Sequence, residues 1–299
     1  MIFLRGCMKA LALDTAATRF CIAVKNESAV ISAVYDIGMK QSETLLPAID
    51  ELRKKAGVLP SELDYAALCE GPGSFTGLRL AFAALKAISH AHNVPLYAIP
   101  TLEAYAFPYR VLPFPVASAI DAKKNKFYCA CFERGEEIVT AGDYTVEAVA
   151  ANLENALAVQ QSTRHGKRMA AAATAGEVTS ESSLHGTHDE VQSASNAALE
   201  SSLRYTPVVR HIACCGPDAA LFAKRMNALR ESMQAQTAAI AQLVFTPLDF
   251  SAVTTDALFA LAEKRIAQNE SPLADYDGPA YVRASEAEEK LRTEIACAV

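Results

Sequence analysis

The chain has 299 residues, 51% of them hydrophobic, and a formal net charge of −6. That length holds one large or two modest domains with a substantial core, and no apolar run approaches the ~20 residues that a membrane-spanning helix needs. The acidic balance excludes a protein that grips nucleic acid mainly through its own basic surface, and leaves room for a partner that does so.

The opening Met1-Ile-Phe-Leu-Arg-Gly-Cys-Met8 is too short for a signal peptide, and Met8, just ahead of the first regular strand, reads as the start. Lys9 to Asp14 predicts a buried strand, Thr15 to Thr18 a turn, Phe20 to Lys25 a second strand and Ala29 to Tyr35 a third. Ser42 is placed to cap a helix running to Ala56, with Leu45, Leu46, Ile49, Leu52 and Ala56 on its apolar face and Gly57 ending it. A strand from Tyr65 to Cys69 meets the turn Gly71-Pro-Gly-Ser-Phe-Thr-Gly77. A helix from Thr76 to about His92 follows, then Asn93 as a left-handed cap and a strand from Pro95 to Ile99.

The pattern then restarts. Val116 to Asp121 predicts a strand ending in Asp, Phe127 to Phe132 a second, and a turn over Glu133 to Glu136 leads to a short third. Asp14 and Phe20 are each separated from Asp121 and Phe127 by the same offset, which points to two lobes of one duplicated fold. Later come a helix near Val146 to Leu157, a strand Ile212 to Cys215, a helix from Asp218 to about Gln236 and a helix from Asp256 to Ala267. Residues 160–205 are poor in large apolar side chains and predict a flexible insertion in the second lobe. Its Arg164, Lys167 and Arg168 read as a solvated basic tract, and His185 with His188 makes a poor metal site in such a segment. None of the eight cysteines forms a Cys-x-x-Cys pair, and they read as reduced core residues in a cytoplasmic protein.

Duplicated βββαβα lobes with an Asp ending each first strand point to the actin-like nucleotide-binding architecture, an α/β class. In that architecture the turn after the Asp uses glycine so that backbone N–H groups reach phosphate. Here the turns read Asp14-Thr-Ala-Ala-Thr18 and Asp121-Ala-Lys-Lys-Asn125, without glycine. Asp14 and Asp121 therefore either terminate their strands by bonding turn amides or belong to a working nucleotide site. The Gly71–Gly77 turn is neither a Walker A loop nor a nucleophile elbow, and it reads as a tight strand-to-helix turn capped by Ser74 or Thr76. Its helix is apolar almost all round, with Arg79 and Lys86 on one thin stripe. Such a helix needs cover on two sides, from the second lobe or the Ser42 helix, or from another protein with Arg79 anchoring a charged pair.

On the segments Leu11–Ala16, Ser42–Pro47, Gly71–Arg79, Asp121-Ala122 with Phe127-Tyr128, and Ala280–Arg283, the chain resembles the TsaB (YeaZ) family, accessory subunits in bacterial tRNA threonylcarbamoyladenosine modification. It departs from that family at Gln41, where members often carry His. The resemblance implies two tandem actin-like (ribonuclease H-like) lobes: residues 8–107, and 108–299 with a C-terminal segment that can return to the first lobe. It implies a pseudo-enzyme that needs no cofactor, binds no metal and pairs with a TsaD-type transferase as a heterodimer. A TsaE-type ATPase joins through that dimer, tRNA is reached only indirectly, and the chain alone can form a homodimer. The interface expected from helix pattern and resemblance comprises Leu45, Ile49, Leu52, Leu78, Arg79, Phe82, Leu85 and Lys86. The competing readings are a stand-alone actin-like ATPase or small-molecule kinase, with weak nucleotide binding at the lobe cleft left open, and a peptidase.

Overall fold

The computed structural model describes residues 8–159, 210–233, 242–249 and 254–282. The sequence-predicted insertion over 160–205, the end of the helix near Gln236 and Arg283 lie outside them. The first lobe runs β1 (Lys9–Asp14), β2 (Phe20–Asn26), β3 (Ala29–Tyr35), α1 (Gln41–Ala56), β4 (Tyr65–Gly71), α2 (Phe75–His92), β5 (Leu96–Pro100) and α3 (Thr101–Ala106). The second runs β6 (Val116–Lys123), β7 (Lys126–Glu133), β8 (Glu136–Tyr144), α4 over 146–159, β9 (Arg210–Cys215), α5 (Ala219–Met233) and β10 (Leu243–Pro247). A final helix, α6 (Thr254–Ala267), ends the regular structure. Among the described residues no helix is long and apolar enough to cross a membrane.

The two sheets have one topology. Their strand orders are β3-β2-β1-β4-β5 and β8-β7-β6-β9-β10. In each, the first three strands form an antiparallel meander and the last two join in parallel to the first. The duplication signalled by the repeated Asp and Phe is thus a duplication of the sheet, two actin-like lobes in tandem.

Strand alternation decides what packs on each face. On β1, Leu11 and Leu13 face α1 and α2, where they meet Leu45, Ile49, Leu52, Phe82 and Leu85. Ala10, Ala12, Ala23 and Ala67 face the other way, with α6 through Leu258, Phe259 and Leu261. The small alanines let that helix lie close to the sheet. In the second lobe, Phe127, Cys129 and Cys131 meet α4 and α5, and the opposite face meets Leu102, Tyr105 and Ala106 of α3. The helices α3 and α6 therefore lie between the two sheets and contact each other.

One sequence expectation differs in detail, and two elements were not expected from sequence. The first helix starts at Gln41, and its N-cap Lys40 makes no side-chain bond, so Ser42 is not a cap. A 3-10 turn over Gly38–Lys40 feeds the chain straight into the helix and displaces the cap position. The five-residue strand β10 and the six-residue α3 are too short for their periodicity to stand out from sequence; pairing with β9 makes the first regular, and burial between the sheets the second. Asn93 does take the left-handed cap, at φ 55°.

Leu85 is fully buried in the first lobe's core. Its replacement by Ala is expected to lower the unfolding free energy by about 2–5 kcal/mol, read from urea denaturation, and Phe82→Asp is expected to prevent folding of the lobe. A soluble, natively melting Phe82→Asp chain would show that α2 is not packed as described.

Candidate functional site

Asp14, which ends β1, and Asp121, two residues before the end of β6, each bond a backbone amide two residues on. Asp14 Oδ1 accepts from the Ala16 amide at 3.0 Å, and Asp121 Oδ1 accepts from the Lys123 amide at 2.9 Å. Asp14 is buried, with the Tyr105 hydroxyl donating to it at 3.5 Å and Thr254 and Cys69 alongside. Burial pushes its carboxyl above the usual range, against the bonds that favour the charged form. Asp121 lies nearer solvent; partial burial raises its carboxyl, and the Lys123 ammonium at 2.8 Å and the Lys123 amide outweigh that and hold it below the usual range.

The glycines of the β4–α2 loop are spoken for by the chain's own backbone. A Cβ on Gly77 would stand 2.1 Å from the Thr15 carbonyl oxygen, and one on Gly73 would stand 2.6 Å from that of Ala16. Gly71, at φ +124°, would place a Cβ 2.4 Å from the Ala280 carbonyl. The contacts are hydrogen bonded: the Ser74 amide donates to Ala16 O at 2.7 Å, and the Thr15 hydroxyl donates to Gly77 O at 2.7 Å. Ser74 is the N-cap of α2, its Oγ accepting from the Gly77 amide at 3.3 Å. Gln41 closes the same corner, donating to Ala17 O at 2.9 Å and Thr18 O at 2.8 Å. The loop serves close approach of backbone, which is the second use of glycine in such turns.

Beyond α6 the chain returns over the first lobe as a strap. The Leu273 amide donates to Leu96 O at 2.7 Å and the Ala280 amide to Glu70 O at 2.8 Å. Lys86 Nζ donates to the carbonyls of Asp275, at 2.6 Å, and Asp277. Arg79 Nε donates to the Tyr281 hydroxyl at 3.0 Å while its guanidinium lies 4.0 Å over the Phe75 ring. The motif at Ala280 to Val282 thus has a local role, fastening the strap beside Gly71 and α2.

Of the eight residues expected at a partner interface, Leu45, Ile49, Leu52, Leu78, Phe82 and Leu85 are each no more than 5% exposed and belong to the lobe's own core. That is a correction to the sequence expectation: a side chain buried under its own sheet cannot meet a partner. Arg79 is exposed and Lys86 half-buried, and both hold the strap. The outer faces of the same two helices carry different residues. Leu46 is 58% and Phe75 40% exposed, and Pro47, Thr76, Ala83 and Ala87 also face solvent. The exposure of Leu46 corrects the sequence expectation that it shares the apolar face of Leu45, because side chains one apart on a helix do not point the same way. Among the described residues no three His, Cys, Asp or Glu side chains converge as a metal centre would require. The six described cysteines are free and buried.

Two outcomes follow from this geometry. Gly71→Ala is expected to loosen the strap, raising the hydrogen-exchange rate at the Ala280 amide at least tenfold and costing about 1–3 kcal/mol of stability; unchanged exchange would mean the Ala280 contact does not depend on glycine. Asp14→Asn tests the buried carboxyl. Its raised folded pKa makes ionisation costly in place, a cost absent below the unfolded value of 3.8 and complete above the folded one. The variant should melt higher than the parent at about pH 7, with the gain fading as pH falls towards about 4. A lower melting temperature at neutral pH would show that the charge is wanted where it is.

Comparison with known proteins agrees with this architecture. A family model described as "TsaD: tRNA N6-adenosine threonylcarbamoyltransferase" matches residues 38–290. The chain is 27% identical over 128 residues to the tRNA threonylcarbamoyladenosine biosynthesis protein TsaB of Bacillus subtilis, covering 42% of this chain and 56% of that one. It is 28% identical over 149 residues to the protein of the same name from Escherichia coli, covering 48% and 62%. The matched region thus spans less than two thirds of the length of either relative. The structure named YeaZ from Pseudomonas aeruginosa superposes with a TM-score of 0.54 at 20% identity, over 92% of this chain and 99% of that one, and so shares the fold. With the model match spanning most of the chain and the relatives named TsaB, the chain belongs to the family described by the TsaD model, in its TsaB (YeaZ) branch.

Proposed function

We propose that this chain serves tRNA threonylcarbamoyladenosine biosynthesis as a non-catalytic subunit that docks on a TsaD-type transferase through the outer faces of α1 and α2. One observation carries the reading: these helices bury their large apolar faces internally and still present Leu46 and Phe75 to solvent, beside the small Ala83 and Ala87. Alanines on a helix exterior let a partner helix approach closely, and exposed Leu and Phe supply apolar anchors. The relatives named for threonylcarbamoyladenosine biosynthesis support the pathway, and the match to a transferase model supports a like-folded partner.

A role without catalysis or a required cofactor is favoured by the loops. Positions where an actin-like site would offer glycine amides to phosphate are alanine in the first turn, and the glycines of the β4–α2 loop lie against Thr15, Ala16 and Ala280. The TsaE-type ATPase then joins through the transferase pair, and tRNA, repelled by a chain of net charge −6, is held by the partner. Alone, the same face can pair two copies of the chain. The setting is cytoplasmic.

Calorimetry of the purified chain with the TsaD-type transferase of its own organism tests the proposal. Leu46→Glu with Ala87→Glu, both at exposed positions, is expected to leave the melting curve in place and weaken association at least tenfold. Undiminished binding by that variant, or no association by the parent, would remove the proposed face. ATP hydrolysis abolished by Asp14→Ala would replace the whole reading with the ATPase one.

A further inference from the structure

A cavity of about 380 Å³ opens at the seam between the lobes, away from the outer faces of α1 and α2. Its walls come from both halves of the molecule: α3 and α6 on one side, β6, β7 and the β7–β8 turn on the other. The floor is apolar, with Ala106, Val116, Phe132 and Leu261. The polar lining is unbalanced, with the cations Arg110, Arg134 and Lys264 against the single carboxylate of Glu103. The volume lies within the range of small-molecule sites, and an apolar cavity with a few converging charges at a domain seam is the usual form of one.

The cations differ in how far they are engaged. The Arg110 guanidinium stacks 3.8 Å over Phe107 and donates to its carbonyl at 2.8 Å. Among the described residues the side chains of Arg134 and Lys264 make no ion pair or hydrogen bond, and the Lys264 ammonium pulls on Glu103 only through space. Glu103 is half-buried on α3, and burial pushes its carboxyl up, against the pull of Arg265 and Lys264. Glu137 and Glu270 act on Glu103 from outside and do not line the cavity.

The backbone at Arg134 adds an independent observation. Glu133 and Glu136 pair across a two-residue hairpin turn made of Arg134, at φ 54°, and Gly135, at φ 83°. A turn with both residues left-handed is the preferred place for Asn-Gly or Asp-Gly, because a longer side chain is disfavoured there. An arginine is held in that conformation with its side chain lining the cavity. Glu27 takes the same conformation in the β2–β3 turn of the first lobe, at φ 57°, so the conformation belongs to the hairpin, and its effect here is to hold Arg134 at the cavity.

We propose that the seam binds a small organic anion with an apolar body: its phosphate or carboxylate held between Arg134 and Lys264, its body against Val116, Phe132 and Leu261. Arg134 stands on the second lobe and Lys264 on a helix packed against the first sheet, so one ligand would tie the lobes together. This site is independent of the proposed docking face and of any transferase.

Isothermal titration of the full chain with two probes, phenyl phosphate and octanoate, tests it. At least one is expected to bind one-to-one with a dissociation constant on the order of 1 mM or tighter, and the pair distinguishes an aromatic phosphate from an aliphatic carboxylate as the preferred chemistry. Arg134→Asn with Lys264→Gln removes the charges at exposed positions, and Asn suits the left-handed turn. Ala260→Phe, at a half-buried position of α6, fills the cavity instead. Each variant, with melting unchanged, is expected to weaken binding at least tenfold. Failure of both probes to bind, or binding retained in either variant, overturns the proposal.

Discussion

Between β4 and α2 the chain meets the β1–β2 turn backbone to backbone, with no side chain in between. The contact needs Gly73 and Gly77, because a single Cβ at either would enter the space of the Ala16 or Thr15 carbonyl. It is fastened by the Thr15 hydroxyl and the Ser74 amide, and Gln41 ties the start of α1 to the same turn. Two strand ends and two helix starts are thus fixed at one corner. The directions of α1 and α2 follow from that corner, and so does the face they leave towards solvent.

The second organising element is the pair of helices between the sheets. The side chains of β1, β2 and β4 facing inward are mostly alanine, so α6 lies close, and Asp14 is sealed under it near Thr254 and Tyr105. A carboxyl in that position is buried and bonded, and burial makes it costly to ionise. The C-terminal strap completes the cover, with Lys86 and Arg79 reaching from α2 to hold it. The cationic cavity lies where α3 and α6 meet β6, β7 and the β7–β8 turn.

The proposed docking face consists of what burial leaves over. Large side chains on α1 and α2 hold the lobe together, and the docking reading depends on a thinner set outside them: Leu46, Phe75, Ala83 and Ala87. Arg79 and Lys86, although at the surface, are committed to the strap, so a partner that used them would compete with the chain's own C-terminal segment.

Much of the fold was legible in the sequence. The short apolar runs between turn residues set the meander strands, Gly57 and Asn93 ended the helices, and the repeated Asp and Phe disclosed the duplication, because each of these signals is local. The glycine-rich turn was also legible as a tight turn, although its partners were not: nothing near Gly71 announces Ala280. The sequence showed that α2 must be covered nearly all round; it could not say by what, since an apolar side chain fits its own sheet or another protein's surface equally well. Tertiary structure alone assigned Leu78, Phe82 and Leu85 to the core, Arg79 and Lys86 to the strap, and Arg134 and Lys264 to one cavity. Those assignments join residues far apart in the chain, and contact between distant residues is decided by how whole sheets and helices pack, which no local pattern encodes.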